Sequence, residues 1–334
     1  MIGTLSSDRE LFRIFVSKDR TVRVGYIGRD GHIVVEPRFK KGLCFTNDKA
    51  LDGIRIGYID WTGEFVIPPR FDRGFWFSEG IADVTVGRKA GHIDENGEFL
   101  YSHFYQFSQG FSQGLAPIGK EENLWGFVNR TGDEVIPLRF HEVRGFSEGY
   151  AAVAADGRWG YVNRTGDLVI GLQYEGPVGR EFTRNLAAVR YGGKWGFINA
   201  SNEFVIAPQF DDARSFYEDR APVMISGKWG FIDPRGEIVI GCQYDMAKEY
   251  SDGLACVGSE DRYGFIDHAG KAVLQSQFRL AKPFRNGLAF VVTEDAISYI
   301  DTTGKIVWSA RWVLTDMFYY IEPRPAAKPV IDSL

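Results

Sequence analysis

A Trp-Gly pair returns along this chain at almost constant spacing, and that period limits the fold more than any other feature. Its clearest copy is Lys194-Trp195-Gly196-Phe197-Ile198-Asn199. An aromatic-Ile/Val pair, or its variant, follows Gly25, Gly57, Gly91, Gly126, Gly160, Gly196, Gly230 and Gly264, and a ninth copy has Ser298 in the glycine slot. Successive spacings are 32, 34, 35, 34, 36, 34, 34 and 34 residues. Nine copies span roughly Leu11 to Ile321. A period of this length means stacked units that cannot bury a core singly.

Each copy has three parts. The Trp-Gly strand runs into turns such as Asn129-Arg130-Thr131-Gly132 and Asn163-Arg164-Thr165-Gly166. Asn or Asp first and glycine fourth is the chemistry of a type I turn closed by a left-handed residue. Asn202 takes the glycine slot in the sixth copy. It is the next most tolerant residue there, so the slot has a backbone origin. Next comes an apolar run (Phe65-Val66-Ile67, Phe204-Val205-Ile206), which reads as a strand buried on both faces. Aromatic anchors six residues apart follow it, such as Phe140 and Phe146, Phe210 and Phe216, and Tyr244 and Tyr250. The third part, Gly-Leu-Ala-x-Val, is another strand. Pro117 and Pro222 lie inside it, which predicts an edge position.

Together the Trp-Gly-Phe/Tyr-Ile/Val-Asn/Asp strand, the turn glycine and the Gly-Leu-Ala strand resemble the WG-repeat (KWG) family over some nine tenths of the chain. The copies from Trp125, Trp159, Trp195 and Trp229 fit best. Val24, Ile56, Ala90, Tyr263 and Ile297 depart from the tryptophan, and His92 replaces an aromatic. The resemblance implies a bacterial, non-catalytic interaction module and transfers no catalytic residue.

The predicted fold is all-β: about nine three-stranded meanders in an open, twisted, solenoid-like array. A propeller-like closed ring is the alternative. Blades of a propeller usually have four strands and about 40 residues or more, and nothing suggests a strand exchanged between the ends. Residues 1–20 read as an N-terminal cap with a leading strand at Leu11–Val16, 21–321 as one repeat domain, and 322–334 as a proline-rich tail.

A formal charge of −5 argues against nucleic acid as a ligand. The basic stretch 9–41 reads either as solvated strand edges or as a dock for an acidic partner. Cys44, Cys242 and Cys256 lack metal spacing and suit a reducing compartment. No signal peptide or membrane helix is predicted, so the expected location is cytoplasmic. The histidines His32, His92, His103, His141 and His268 occupy unrelated slots, and no nucleophile, metal or phosphate motif accompanies them. Asp72, Asp211, Asp245, Glu79 and Glu148 come about one to a unit and read as turn caps. No catalytic residue, cofactor or metal is therefore expected.

The expected function is a non-catalytic protein-interaction scaffold, either an immunity or antitoxin-like protein or an adaptor. A carbohydrate or cell-surface ligand binder is the alternative. Candidate partner-binding residues are Phe75, Trp76, Tyr101, His103 and Tyr105, at the divergent end. They read either as gap fillers for missing tryptophans or as an exposed aromatic grip. The partner and the oligomeric state are left open.

Overall fold

The computed structural model describes residues 11–18, 21–39, 50–52, 55–120, 124–176 and 180–311. The expected tail and Cys44 lie outside them, as does the cap before residue 11. All regular structure among the described residues is antiparallel β, arranged as nine successive sheets, blades 1 to 9. Blade 7 is representative. Its strands are Asp212–Ala213, Ala221–Ile225, Lys228–Ile232 and Ile238–Tyr244, hydrogen-bonded in that order.

Five blades thus carry a fourth strand before the Gly-Leu-Ala strand, two residues long in four of them and Met246–Ser251 in blade 8. The expected three-stranded meander is incomplete, and the Gly-Leu-Ala strand is not an edge. Its prolines stay in the ladder through their carbonyls: Pro117 O accepts from Gln109 N at 3.0 Å and Pro222 O from Arg214 N at 2.9 Å.

The turns form as the sequence dictates. Asn129 Oδ1 accepts from the backbone N–H of Thr131 and Asp133, and Gly132 N donates to Asn129 O. Gly166 has φ +88° and Asn202 φ +64°. The Trp-Gly glycine has a different reason. The outer strand bulges opposite it, between the partners Trp195↔Phe210 and Phe197↔Ile206. A Cβ at Gly196 would lie 2.6 Å from Ile206 O and 2.7 Å from Pro208 N. Only glycine lets the bulged backbone come this close.

The apolar run is not buried on both faces. In Phe204–Phe210 only Ile206 and Phe210 are buried, while Phe204 and Val205 face solvent, and Phe65–Phe71 behaves alike. This strand is the exposed rim of its sheet. It inserts its third and seventh residues into the core shared with the next blade, whereas the Trp-Gly strand is buried nearly throughout.

The open array is overturned by how the ends meet. Hairpin glycines rest on the rim strand of the preceding blade: Gly63 on Val35, Gly97 on Ile67, Gly236 on Ile206 and Gly304 on Leu274. Gly31 of blade 1 rests in the same way on Val307 of blade 9. Phe12, Ile14 and Ile27 form one core with Leu288, Tyr299, Val307 and Trp308. Tyr299 Oη donates to Arg13 O at 2.9 Å. The blades therefore close into a ring, a β-propeller arrangement. The missing strand exchange misleads because closure uses the same face-to-face joint as every other blade pair. A constant rotation at each joint sets the curvature, and nothing within one repeat reveals the total.

Candidate functional site

A first strand, two residues long except for Met246–Ser251 in blade 8, opens each four-stranded sheet and the rim strand closes it on the exposed side, so the first strand and the segment after it lie toward the axis. The residue two before the second aromatic anchor recurs there, blade after blade. In blades 3 to 9 it is Phe75, Gln109, Arg144, Arg180, Arg214, Lys248 and Lys282. The axial collar is thus apolar or neutral at blades 3 and 4 and cationic through blades 5 to 9.

Local chemistry fixes the cations. The Arg144 guanidinium lies 5.4 Å from the Trp159 ring centroid, Arg180 5.3 Å from Trp195, and Arg214 4.8 Å from Trp229. The repeat tryptophan is therefore both core filler and platform. Each such contact is worth roughly 0.5–2 kcal/mol, depending on desolvation. Ion pairs run from blade to blade, Arg180–Asp212 at 3.7 Å and Arg214–Glu249 at 3.8 Å. Lys248 Nζ donates to Ala281 O of the next blade at 3.1 Å. Burial lowers the Arg180 pKa, Asp212 opposes this, and the like charges of Arg214 and Arg144 add to the lowering. Burial also lowers Lys248, helped by Lys282 and Arg214. Arg180 Nε is buried with no hydrogen-bond partner.

Blade 3 is built differently. Ala90 fills the tryptophan slot, and Phe99 and Phe104 cover Gly91. The strand position held by Pro117, Ala152, Ala188, Pro222 and Cys256 elsewhere carries Asp83 here, fully buried. Phe75 N donates to Asp83 O at 3.1 Å, so this acid lies beneath the collar. Burial lifts its carboxyl to about 7, against the hydrogen bond from its own backbone N–H. His92, its cross-strand partner, is pushed down to about 4 by burial, although Gln109 O favours its charged form. Nε2 lies 2.9 Å from that carbonyl and must donate, so the neutral ring accepts the Tyr101 hydroxyl at Nδ1.

The five candidate residues therefore separate. Tyr101 is bonded to His92, and His103 stacks on Tyr101 with centroids 4.6 Å apart. His103 Nε2 is 3.0 Å from Tyr105 Oη, and Tyr105 is buried. Tyr101 and His103 also occupy the joint with Gly132 of blade 4. These three hold blades 3 and 4 together. Phe75 and Trp76 are 43% and 53% exposed and meet edge to face. They lie on the axial loop, beside the collar. The cation row was missed in the sequence. Its signal was available: Arg or Lys two residues before the anchors Phe146, Phe182, Phe216, Tyr250 and Phe284.

Other singled-out residues have structural roles. Asp72 and Asp211 cap turns at Gly87 N, 2.6 Å, and Ser226 N, 2.7 Å. Glu79 and Glu148 bond backbone N–H groups of the following blade, at Gly114, Arg184 and Asn185. Cys256 is buried and Cys242 half-buried. No group of three potential metal ligands occurs among the described residues. A cavity of about 480 Å³ at the closing joint is lined by Arg29, Asp30, Asp301 and Lys305, whose charges offset. The repeated aromatic anchors Phe71, Phe140, Phe210, Phe216, Tyr250 and Phe284 are all buried, which removes the per-unit platforms that the carbohydrate alternative needs.

Fold and site together define a closed propeller of β-meander repeats with a polar-aromatic axial collar. The family described as WG containing repeat matches residues 25–51, 56–89, 125–159, 159–195, 195–229, 229–261 and 263–295. These spans take in well over half of the chain, which belongs to the WG-repeat family. No curated protein matches it in sequence. Among solved structures it is similar to one described as the eukaryotic initiation factor, with 11% identity, a TM-score of 0.60, and coverage of 90% of this chain and 96% of that one. BamB from Moraxella catarrhalis is similar at 12% identity and a TM-score of 0.45, over 80% and 92%. At such identities the first likeness concerns the fold alone.

Proposed function

We propose that this protein is a non-catalytic scaffold that binds a protein partner across its axial mouth, as an adaptor or as an immunity or antitoxin-like neutraliser. One observation supports this reading above the others. Phe75 stands exposed where blades 4 to 9 put a polar or charged residue, Trp76 where they put Gly, Ser, Glu or Pro, and neither fills a gap in the core. Tryptophan is among the residues that dominate binding energy at interfaces. The collar beside it supplies charge for orientation and encounter.

A partner captured on the immobilised full chain would be identified and purified, then titrated against wild type, Trp76→Ala and Phe75→Ser. We expect affinity to drop tenfold or more in each variant with thermal unfolding unmoved. Equal affinity in all three proteins would remove the patch from the interface. His103→Ala serves as the contrast, because it should move the unfolding midpoint rather than the affinity.

A further inference from the structure

We propose that the cationic arc formed by Arg144, Arg180, Arg214, Lys248 and Lys282 docks an acidic peptide segment, its carboxylates bridging guanidinium groups of adjacent blades. This rests on the reading above that the partner is a protein, and it names the chemistry of the segment that reaches the axis.

Four observations carry it. First, five consecutive blades present a cation at one slot, and two of these side chains are held against burial and against neighbouring like charges. Second, the guanidinium groups of Arg144, Arg180 and Arg214 lie over indole faces. An indole accepts no N–H hydrogen bond along the guanidinium edge, so, apart from Arg144 Nη1, which donates to Val143 O at 3.1 Å, the edge donors are left for a planar carboxylate. Third, the ion pairs inside the arc, at 3.7 and 3.8 Å, exceed the ~2.7–2.9 Å of a charge-assisted hydrogen bond. The donors are thus not saturated by Asp212 and Glu249, and Arg180 Nε has no acceptor at all. Fourth, acids are interleaved with the cations. Glu142, Glu181, Asp212 and Glu249 stand on the same loops and strands, so the arc has only a small positive surplus. A dense polyanion such as nucleic acid would meet these acids repeatedly. A short segment with spaced single charges fits between them. Phe75 and Trp76 on the neutral side of the collar suit an apolar residue beside the acidic run.

The test is a fluorescence-anisotropy titration of the full chain with a labelled ten-residue poly-glutamate peptide, its poly-glutamine counterpart and a labelled single-stranded oligonucleotide. We expect the glutamate peptide to bind in a salt-sensitive manner and the glutamine peptide not to bind. The double variant Arg180→Gln/Arg214→Gln should weaken binding at least tenfold. Lys271→Gln, on an exposed turn, should leave it unchanged. Circular dichroism checks that the double variant is folded, and Lys248→Gln, which disturbs no stacked pair, gives an independent second reading. The proposal is overturned if the glutamate peptide fails to bind, if these variants bind it as wild type does, or if the oligonucleotide binds more tightly. Trp76→Ala separates the two readings: retained peptide binding with lost partner binding supports both, while partner binding that survives both Trp76→Ala and the double arginine variant removes both surfaces from the interface.

Discussion

Blades 3 and 6 occupy equivalent places in the ring and solve the same packing problem with opposite chemistry. In blade 6, Trp195 fills the space under Arg180, Ala188 sits behind it, and Phe197 completes the core. Blade 3 has Ala90 for the tryptophan, Asp83 for the alanine and His92 for the phenylalanine. The lost volume is recovered by Phe99, Phe104 and Tyr105 from the segment that replaces the rim strand. The lost apolarity is offset by a chain of hydrogen bonds, from His92 to Gln109 O and from the Tyr101 hydroxyl to His92. A repeat tolerates such exchange because each unit answers chiefly to its neighbours. The cost is a pair of buried ionisable groups that blade 6 lacks.

That pair gives the largest expected difference. Asp83 keeps its proton up to about pH 7, whereas the unfolded chain releases it near 3.9. Its contribution is present at low pH and is lost as pH rises from about 4 to about 7. His92 works the other way. Held neutral down to about pH 4, it penalises the folded state as pH falls below the ordinary histidine range. The two slopes oppose each other between pH 4 and 6.5. Asp83→Asn should remove one of them. Stability of the variant should rise from pH 4 to 6.5 and then level off, exceeding wild type at pH 8 by on the order of 4 kcal/mol. Urea midpoints at pH 4, 6 and 8 measure this, and parallel curves for the two proteins would contradict the buried carboxyl.

The next difference concerns the Trp-Gly glycine. Gly196→Ala drives a methyl into the backbone of the bulged rim strand, at a cost of about 3 kcal/mol. Gly91→Ala meets only the side chains of Phe104 and Phe99, at 3.1 and 3.2 Å, which can yield, so about 1 kcal/mol is expected. Equal losses in denaturant would mean that the bulge is not what demands glycine. A loss of similar size to that of Gly91→Ala should come from Tyr101→Phe. It removes the hydroxyl from His92 and costs about 1–2 kcal/mol through the unsatisfied ring nitrogen. Trp76→Ala, on the same blade but exposed, should leave thermal unfolding unchanged.

Local features were legible in the sequence, because a turn or a strand is decided within a few residues. Asn202 belongs at a left-handed slot on backbone grounds alone, and its φ is +64°. Its side chain does more than sequence could show: Oδ1 accepts from Tyr174 Oη at 2.6 Å and from Gln173 Nε2 at 3.2 Å on the preceding blade. The burial of Trp159, Trp195 and Trp229 also followed from the pattern. Ring closure did not, since it is a sum over joints. The innermost strand escaped because two residues such as Asp212–Ala213 carry no period. Phe204-Val205 misled because a rim strand can be β-branched and apolar for ladder geometry while its outer face remains wet. Of the candidate residues, composition alone could not separate Trp76 from Tyr105. Only the placement of the axial loop does that.

The joint between blades 9 and 1 has a mechanical meaning. No ladder of backbone hydrogen bonds crosses it among the described residues; side-chain packing and the bond from Tyr299 to Arg13 O hold it. Prising the circle apart there would leave every sheet whole. The aperture can therefore widen like a split washer while amide protons stay shielded, so a bulky guest could be admitted without melting a single strand.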